Sequence, residues 1–289
     1  MGINTNGGWS DSPFISRDGQ RLYFMYSRWD FGPWIESGFT QLPVLRGPDR
    51  PGLHESDVNP FDESDIYIST RNPDGSWGEP VNLGLNGPYP DYSGMEINGP
   101  NTFLWMHGNG AVDDVVTATR NPDGSWTPPV SLGATINDHS AGVAQDNPYM
   151  SADGNSLWFV SNRAGSIGGK DIWFSSKSSG VWSAPVNLGA PINTVDDEDQ
   201  PWLSPVSNDV YWNGPQGIMH CVSNGSTCAT TPDLVVLPGC SYPAEASMPD
   251  DGTRLYYACG SRTATSVQLR IVYSVRQGDG SWGVATPVD

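Results

Sequence analysis

One segment recurs five times along this 289-residue chain, and the recurrence constrains the fold more than any other feature. Each copy reads as a strand, a turn and a second strand, and the copies begin near residues 11, 91, 146, 199 and 244. A gapless alignment gives DSPFISRDGQRLYF, DYSGMEINGPNTFL, DNPYMSADGNSLWF, DQPWLSPVSNDVYW and AEASMPDDGTRLYY. Repeats of this kind are typical of a ring of blades, which brings one position of every copy toward a shared axis.

Two further strands complete each repeat. Segments rich in β-branched and aromatic residues predict third strands at 65–69, 114–118, 171–175 and 269–273. Tight turns, mostly Asp-Gly, lead to fourth strands at 80–83, 129–132, 185–188 and 234–237. The sequence therefore predicts an all-β, five-bladed β-propeller with four antiparallel strands per blade. It is expected to form a single domain over 1–289, with blades at about 11–84, 91–133, 146–189, 199–238 and 244–289.

Charge and hydropathy restrict the partners. The chain has 14 basic and 32 acidic residues, a net charge of −18, which disfavours nucleic acid and anionic membranes. No apolar run approaches the roughly 20 residues of a membrane span, and the first residues lack the charged-then-apolar pattern of a signal peptide. We expect a monomer whose ligand is a cation, a neutral small molecule or a glycan.

The four cysteines predict two disulfides. Cys221 and Cys228 flank a turn-forming sequence that would place them face to face across a hairpin. Cys240 and Cys259 fall on a linker between blades and at the end of a second strand, both at the same rim. The predicted pairs, 221 with 228 and 240 with 259, indicate an oxidising, secreted or periplasmic location and a leader that has been removed. Four unlinked thiols are the alternative.

The third blade carries a family resemblance. Ser-Ala-Asp-Gly at 151–154 precedes Leu-Trp-Phe at 157–159, and Ser-Asn-Arg at 161–163 is followed by Gly-Gly-Lys-Asp-Ile-Trp-Phe at 168–174. These motifs resemble the TolB-type (WD40-like) β-propeller repeats of bacterial periplasmic and secreted proteins. The resemblance covers nearly the whole chain, although blades two and four lack the Ser-Asp-Gly turn. It implies the fold but not the chemistry, because that family includes binding and scaffold proteins as well as parts of enzymes.

Acidic residues recur at the first position of the repeat. Aspartates stand there in the first four copies, and Glu245 follows Ala244 in the fifth; the aspartates are Asp11, Asp91, Asp146 and Asp199. Carboxylates crowded at one rim repel each other and need protons, amide donors or a cation. Calcium suits them, since it takes six to eight oxygen ligands, so the four aspartates are predicted metal ligands. The alternative is that each one only caps backbone amides and ties neighbouring blades together.

The first blade contains a long insertion at 29–64, on the same rim as the aspartates. Its length and its aromatic content are typical of a functional loop rather than a disordered one. Two interpretations stay open, a lid over the channel mouth and a small satellite core that holds the loop down. The residues concerned are Trp29, Phe31, Trp34, Phe39, His54 and Phe61.

Three histidines are assigned to this rim: His54 in the insertion, His107 in the second blade and His139 in the following linker. Near neutral pH an imidazole can accept or donate a proton, so all three are candidate catalytic residues. Glu245 is the candidate general acid, because it is the only glutamate expected at this phase of the repeat.

Three functions are compatible with these residues. The first is a hydrolase that uses a divalent cation, most readily calcium, to cleave an ester, lactone or phosphoester. Its site would lie at the upper mouth of the central channel, which is the rim that carries the aspartates, with His107 or His139 as base. The second is a glycoside hydrolase that uses axial carboxylates, as in several five-bladed propellers. The third is a non-catalytic module that binds a glycan or a peptide through the aromatic insertion.

Overall fold

The computed structural model describes residues 2–38, 40–55, 59–110, 112–207, 209–224, 227–262 and 267–289. This part of the chain forms five antiparallel sheets, and it confirms the predicted all-β, five-bladed β-propeller with four strands per blade. The chain divides into two compact units, one comprising Met1–Tyr92 with Val236–Asp289 and the other comprising Ser93–Val235. Each unit is described by itself.

The elements follow one another as the repeat predicts. In chain order they are β1 (Trp9–Ile15), β2 (Arg21–Ser27), β3 (Trp29–Asp30), α1 (Gly32–Glu36), β4 (Val44–Leu45), β5 (Asp65–Thr70), β6 (Val81–Asn82), β7 (Asp91–Glu96), β8 (Thr102–Gly108), β9 (Asp113–Thr119), β10 (Val130–Ser131), β11 (Gln145–Met150), β12 (Ser156–Ser161), β13 (Asp171–Ser178), β14 (Val181–Trp182), β15 (Val186–Asn187), β16 (Asp199–Leu203), β17 (Val210–Gly214), β18 (Gly217–Cys221), β19 (Asp233–Leu234), β20 (Tyr242–Ser247), β21 (Arg254–Arg262), β22 (Val267–Val275) and β23 (Thr286–Pro287).

Strand order within the sheets is sequential. The sheets read β1-β2-β5-β6, β7-β8-β9-β10, β11-β12-β13 with β14 and β15 both on β13, β16-β17-β18-β19 and β20-β21-β22-β23. The insertion adds the two-stranded pair β3-β4 and the five-residue helix α1 to the first blade. Within the described residues no helix is both long and apolar enough to cross a membrane.

The second and third strands supply the core of each blade. In the first unit Leu22, Phe24 and Tyr26 alternate along β2 and pack in one cluster with Tyr256 of blade five. In the second unit Trp158 and Val160 alternate along β12 in the same way. Period-two alternation of large apolar side chains explains why these segments form buried strands.

An asparagine anchors the third strand of several blades. In the first blade Asn86 accepts a hydrogen bond from the backbone N of Ile66, and Asn193 does the same for Ile172 in the third. In the fifth blade this asparagine is Asn4, whose side chain accepts from Ile271 N (2.8 Å) and donates to Ile271 O (2.9 Å). The first residues of the chain therefore complete the last blade, which the repeat alone does not reveal.

Both predicted disulfides are confirmed. Cys221 is bonded to Cys228, and Cys240 is bonded to Cys259. The first bond closes the segment that leaves β18, and the second ties the linker before β20 to β21.

Candidate functional site

Every innermost strand bends at the same place in the repeat. The pairing register between the first and second strands shifts there in blades one, three, four and five. A left-handed backbone costs a non-glycine residue about 1–3 kcal/mol, and such strain is concentrated at functional sites. The residue at the bend has this conformation in all five blades and is never glycine: Ser12 (φ 51°), Ser93 (φ 49°), Asn147 (φ 41°), Gln200 (φ 46°) and Glu245 (φ 65°).

The second blade is displaced by one residue from the gapless alignment. Its left-handed residue, Ser93, follows Asp91 by two positions, whereas in blades one, three and four the bend follows the aspartate directly. Tyr92 therefore holds the aspartate position, and the expected placement of Asp91 there is incorrect. Asp91 is fully buried; its Oδ2 accepts from Gly87 N (2.8 Å) and its own N donates to Ser64 O (2.8 Å). The gapless alignment placed Glu96 at the start of the first turn, but the backbone N of Ile97 donates across that turn to Thr102 O, as Ser16 N donates to Arg21 O in the first blade.

In the first unit the rim carboxylates contact neutral donors. Asp11 Oδ2 accepts a hydrogen bond from the indole Nε1 of Trp9 at 2.7 Å. The carboxylate of Glu245 accepts from the backbone N of Ser12, which joins the bends of blades five and one. The hydroxyl of Ser247 joins the same two blades, accepting from Ile15 N at 3.1 Å. These contacts are those of the architectural role considered for the repeat.

In the second unit two rim carboxylates face a cation. Lys170 Nζ lies 3.1 Å from Oδ2 of Asp146. Asn147 links the two aspartates, since its backbone N donates to Asp146 Oδ1 (2.8 Å) and its side-chain Nδ2 donates to Asp199 Oδ1. The hydroxyl of Ser93 in turn donates to the side-chain oxygen of Asn147. The bends of blades two, three and four are thus joined by one polar network.

Electrostatics separate the two carboxylates of this network. Burial and the neighbouring charge of Asp146 raise the pKa of Asp199 to about 6, while Lys170 acts in the opposite direction. Burial lowers the pKa of Lys170, but Asp146 and Asp199 outweigh it, and the net change is upward. The ammonium ion therefore stays charged beside two acids, one of which takes up a proton near pH 6.

A second aspartate recurs at the start of the third strands and is architectural in two blades. Asp65 is fully buried and accepts from His54 N (2.6 Å) and Asn82 Nδ2 (3.3 Å). Asp171, equally buried, accepts from amides of the loop before β13 and from Asn187 Nδ2 (2.5 Å). His54, predicted as a catalytic residue, contributes its backbone amide to this arrangement.

The second blade departs from that arrangement. Its loop between β8 and β9 is short. In place of loop amides, the imidazole Nε2 of His139 contacts Asp114 Oδ1 at 2.6 Å. His107 lies opposite Asp114 in the register of β8 and β9, and its ring contacts Trp105 edge-on. Of the three histidines predicted for the rim, His139 contacts the Asp114 carboxylate and His107 is the cross-strand neighbour of the same residue.

The insertion of the first blade is anchored by an aromatic cluster. Phe31 lies between Trp9, with ring centroids 5.7 Å apart, and Phe61, at 5.8 Å. Trp34 contacts both Phe31 and Phe61. Phe39 lies outside the described residues. This packing is what the satellite-core interpretation expects, and it leaves the lid interpretation as a prediction.

A buried ion pair fixes the base of the insertion. Arg28 Nη2 lies 2.6 Å from Glu63 Oε2, and both side chains are nearly inaccessible to water. The backbone N of Arg28 also donates to the Glu63 carboxylate at 2.9 Å. The two ends of the insertion are thereby joined next to the end of β2 and the start of β5.

The predicted calcium ligands do not form a ready coordination group. Among the residues that the structure describes, no group of three or more His, Cys, Asp or Glu side chains is arranged to hold a metal ion. In the second unit Asp146 already contacts the ammonium of Lys170. Calcium binding stays a prediction, and the rim carboxylates as placed here do not fit it.

Comparisons with known proteins extend only to the fold. No protein-family model and no curated protein matches this chain. Solved structures similar to it include sucrose-6-phosphate hydrolase from Lactobacillus gasseri (TM-score 0.58, 14% identity, 100% of this chain and 63% of that one). A thermostable family-43 glycoside hydrolase (0.56, 14%, 98% and 96%) and TolB from Acinetobacter baumannii (0.50, 12%, 95% and 67%) are also similar. At these identities the likeness shows the propeller fold alone.

Proposed function

We propose that this protein is a propeller hydrolase that cleaves a glycan by acid–base chemistry between Asp146 and Asp199. One observation carries the proposal. The positive charge of Lys170 acts on two carboxylates from consecutive blades, and the pKa of one of them, Asp199, is raised to about 6. Glycosidic bonds are cleaved by such pairs, in which one carboxyl is protonated and the other ionised.

The proposed roles follow from the electrostatics. Asp199 donates its proton to the oxygen of the leaving sugar. Asp146, whose Oδ2 lies 3.1 Å from Lys170 Nζ, activates the attacking water or attacks the sugar itself. Because Asp199 loses its proton as the pH rises through about 6, activity is expected to fall on the alkaline side of that value. Asn147 positions both acids through its two hydrogen bonds.

Fold and charge support a glycan as the substrate. Similar propellers include a family-43 glycoside hydrolase and a sucrose-6-phosphate hydrolase, so glycoside-cleaving enzymes occur on this scaffold. A chain with a net charge of −18 does not repel a neutral saccharide. The two disulfides favour a secreted or periplasmic site of action, where bacterial-type propellers of this resemblance would meet extracellular glycans.

A second candidate is cleavage of an ester, lactone or phosphoester with His139 as general base. The contact between His139 and Asp114 favours it, because a carboxylate at 2.6 Å orients an imidazole for proton transfer. His107, opposite Asp114, would adjoin this base. The assistance of calcium and the catalytic roles of His54 and Glu245 stay predictions under either candidate.

The two candidates are separated by a panel of chromogenic glycosides and esters. Wild type and three variants would be assayed: Asp199→Asn, His139→Ala and the control Asp153→Asn, an exposed turn aspartate of the third blade. We expect glycoside hydrolysis that is lost in Asp199→Asn and kept in the other two. Ester hydrolysis lost only in His139→Ala would favour the second candidate, and no turnover of either class would indicate a binding protein.

A further inference from the structure

The first unit contains a cavity of about 100 Å³ that the proposed reaction does not use. Its wall is contributed by the N-terminal segment, by the β3-β4 pair of the insertion and by β22 of the fifth blade. The polar and aromatic side chains on this wall are Trp9, Asp30, Arg46, Gln268 and Arg270. Three segments that are distant in sequence thus meet around one cavity, which is open to solvent at Gln268 and Arg270.

The charge at this cavity is opposite to that of the protein. Only 14 of the 289 residues are basic, yet two arginines line this single cavity. Arg46 Nη1 lies 2.8 Å from Oδ2 of Asp30 and is neutralised by it. Arg270 forms no ion pair within the described part of this unit. Two guanidinium charges and one carboxylate charge leave the cavity with a single net positive charge.

The wall of the cavity is held by close backbone contacts. Gly7 has a left-handed backbone (φ 88°), and a Cβ added there would lie 2.7 Å from the backbone oxygen of Arg46. A Cβ on Gly8 would lie 2.7 Å from the ring of Tyr26. The indole of Trp9 is buried and is fixed by its bond to Asp11. These contacts fix the backbone side of the cavity, while the side chains of Arg46, Gln268 and Arg270 on its wall are exposed to solvent.

We propose that this cavity binds the carboxylate group of a small monoanionic ligand, such as an acidic sugar. A carboxylate matches the single net positive charge, and the planar guanidinium of Arg270 can donate two parallel hydrogen bonds to it. Gln268 adds an amide donor and Trp9 an apolar wall. Binding pockets for whole drug-sized ligands measure roughly 300–1,000 Å³, so this volume admits a head group with the remainder outside.

The strong negative charge of the chain makes an arginine at this point necessary for such a ligand. At a net charge of −18 an acidic sugar is repelled by most of the surface, and a local guanidinium must compensate for that repulsion. The proposal does not rest on the hydrolase function, since a non-catalytic glycan-binding protein would use the same site. Its failure would leave the proposed chemistry of Asp146 and Asp199 untouched.

Calorimetric titration with a matched pair of sugars tests the ligand class. Galacturonate and galactose differ in a carboxylate and a hydroxymethyl group, so only the first should bind to wild type, with an affinity that weakens as salt is added. Equal binding of the two sugars, or no binding of galacturonate, would overturn the proposal. Inorganic phosphate serves as a third probe, and preferential binding of phosphate would overturn the assignment to carboxylates.

Charge variants of the cavity test the site itself. Arg270→Gln should weaken galacturonate binding about tenfold or more, because a charge-assisted hydrogen bond is lost. Asp30→Asn should strengthen it several-fold, since Asn keeps the contact with Gly32 N while the net charge rises. If the two residues were merely structural, one variant would not weaken galacturonate binding while the other strengthens it. Arg276→Gln, an exposed arginine of the same blade, is the control and should change nothing. Unaltered binding in both cavity variants would contradict the assignment.

Discussion

Asp11 and Asp146 occupy the same place in their blades but have different neighbours. Asp11 accepts a hydrogen bond from the neutral indole of Trp9, whereas Asp146 faces the ammonium of Lys170. An ammonium ion compensates the charge of a carboxylate and so allows a second carboxylate to approach. The repeat therefore determines where the acids lie, and a residue outside the repeated hairpin determines what they can do.

The difference originates immediately before the third strand. Lys170 precedes Asp171, and its carbonyl accepts from Glu198 N at 2.9 Å. The first blade has Ser64 at this place, with the same backbone bond from Asp91 N. One position of the repeat is thus serine in one unit and lysine in the other, while the backbone contact is unchanged. Chemistry varies here on a constant scaffold.

The largest expected effect is the difference between Asp146 and Asp11 in their contribution to glycoside hydrolysis. Asp146→Asn should lower kcat/KM by about 10²–10⁴, the usual contribution of a general acid or base. Asp11→Asn, at the equivalent place in the first blade, should lower it less than tenfold. Kinetics on one chromogenic glycoside would measure both. Equal losses of kcat/KM in the two variants would contradict the different roles assigned to Asp146 and Asp11.

Removal of the lysine should have an intermediate effect. Lys170→Gln takes away the charge that opposes the raised pKa of Asp199, so the alkaline limb of the pH–rate profile should move upward. Activity at pH 6 should fall about tenfold or more, because Asp146 loses its counter-ion. Lys177→Gln, which removes the cation over Trp182 farther along β13, is the matched control. A profile that stays in place would contradict the role of Lys170.

The buried aspartates of the third strands extend the comparison to stability. Burial is the main reason that the pKa of Asp65 is raised to about 7 from 3.8. The folded chain thus holds a proton that the unfolded chain releases, and stability is lost as the pH rises between those values. Asp65→Asn should flatten this slope and add up to about 4 kcal/mol at pH 8, since each pKa unit corresponds to about 1.4 kcal/mol.

Urea unfolding at several pH values would measure the effect. Asp74→Asn, which changes an exposed turn aspartate of the same blade, is the control. Because the pKa of Asp74 is lowered by its hydrogen bonds with Ser76, this variant should leave the slope above about pH 5 unchanged. An unchanged slope in Asp65→Asn would show that the carboxyl of Asp65 is already ionised in the folded protein at acidic pH.

The smallest effect is expected in the second blade. His139 is half exposed, and even a charged contact at this exposure contributes about 1 kcal/mol or less. His139→Ala should therefore shift the free energy of unfolding by no more than that and leave glycoside hydrolysis within twofold. A large loss of glycoside hydrolysis in His139→Ala would show that His139 and Asp114, and not Asp146 and Asp199, catalyse the reaction.

The strands, the turns and both disulfides could be predicted because their signals are local. Alternating apolar residues determine β2 and β12, and a turn of suitable length brings Cys221 to Cys228. The register of the second blade was predicted one residue out of place, because the gapless alignment starts its first turn at Glu96, one residue before the structure does. Asn4 was equally hidden, since its partner Ile271 lies 267 residues away.

The candidate site was predicted in part. Asp146 and Asp199 were identified from the repeat, but Lys170 was not, since no local pattern links a lysine before a third strand to an aspartate 24 residues earlier. The left-handed bends were also missed, because Ser12 and Gln200 carry no glycine signal. A conformation imposed by packing on an ordinary residue leaves no mark in its own sequence.

The coupling between Asp146 and Asp199 is the central claim, and NMR titration of the aspartate carboxyl carbons tests it most directly. The account predicts a pKa of about 6 for Asp199 and a lower value in Asp146→Asn, where the neighbouring negative charge is gone. A pKa near 3.8 that is insensitive to Asp146→Asn would contradict the account.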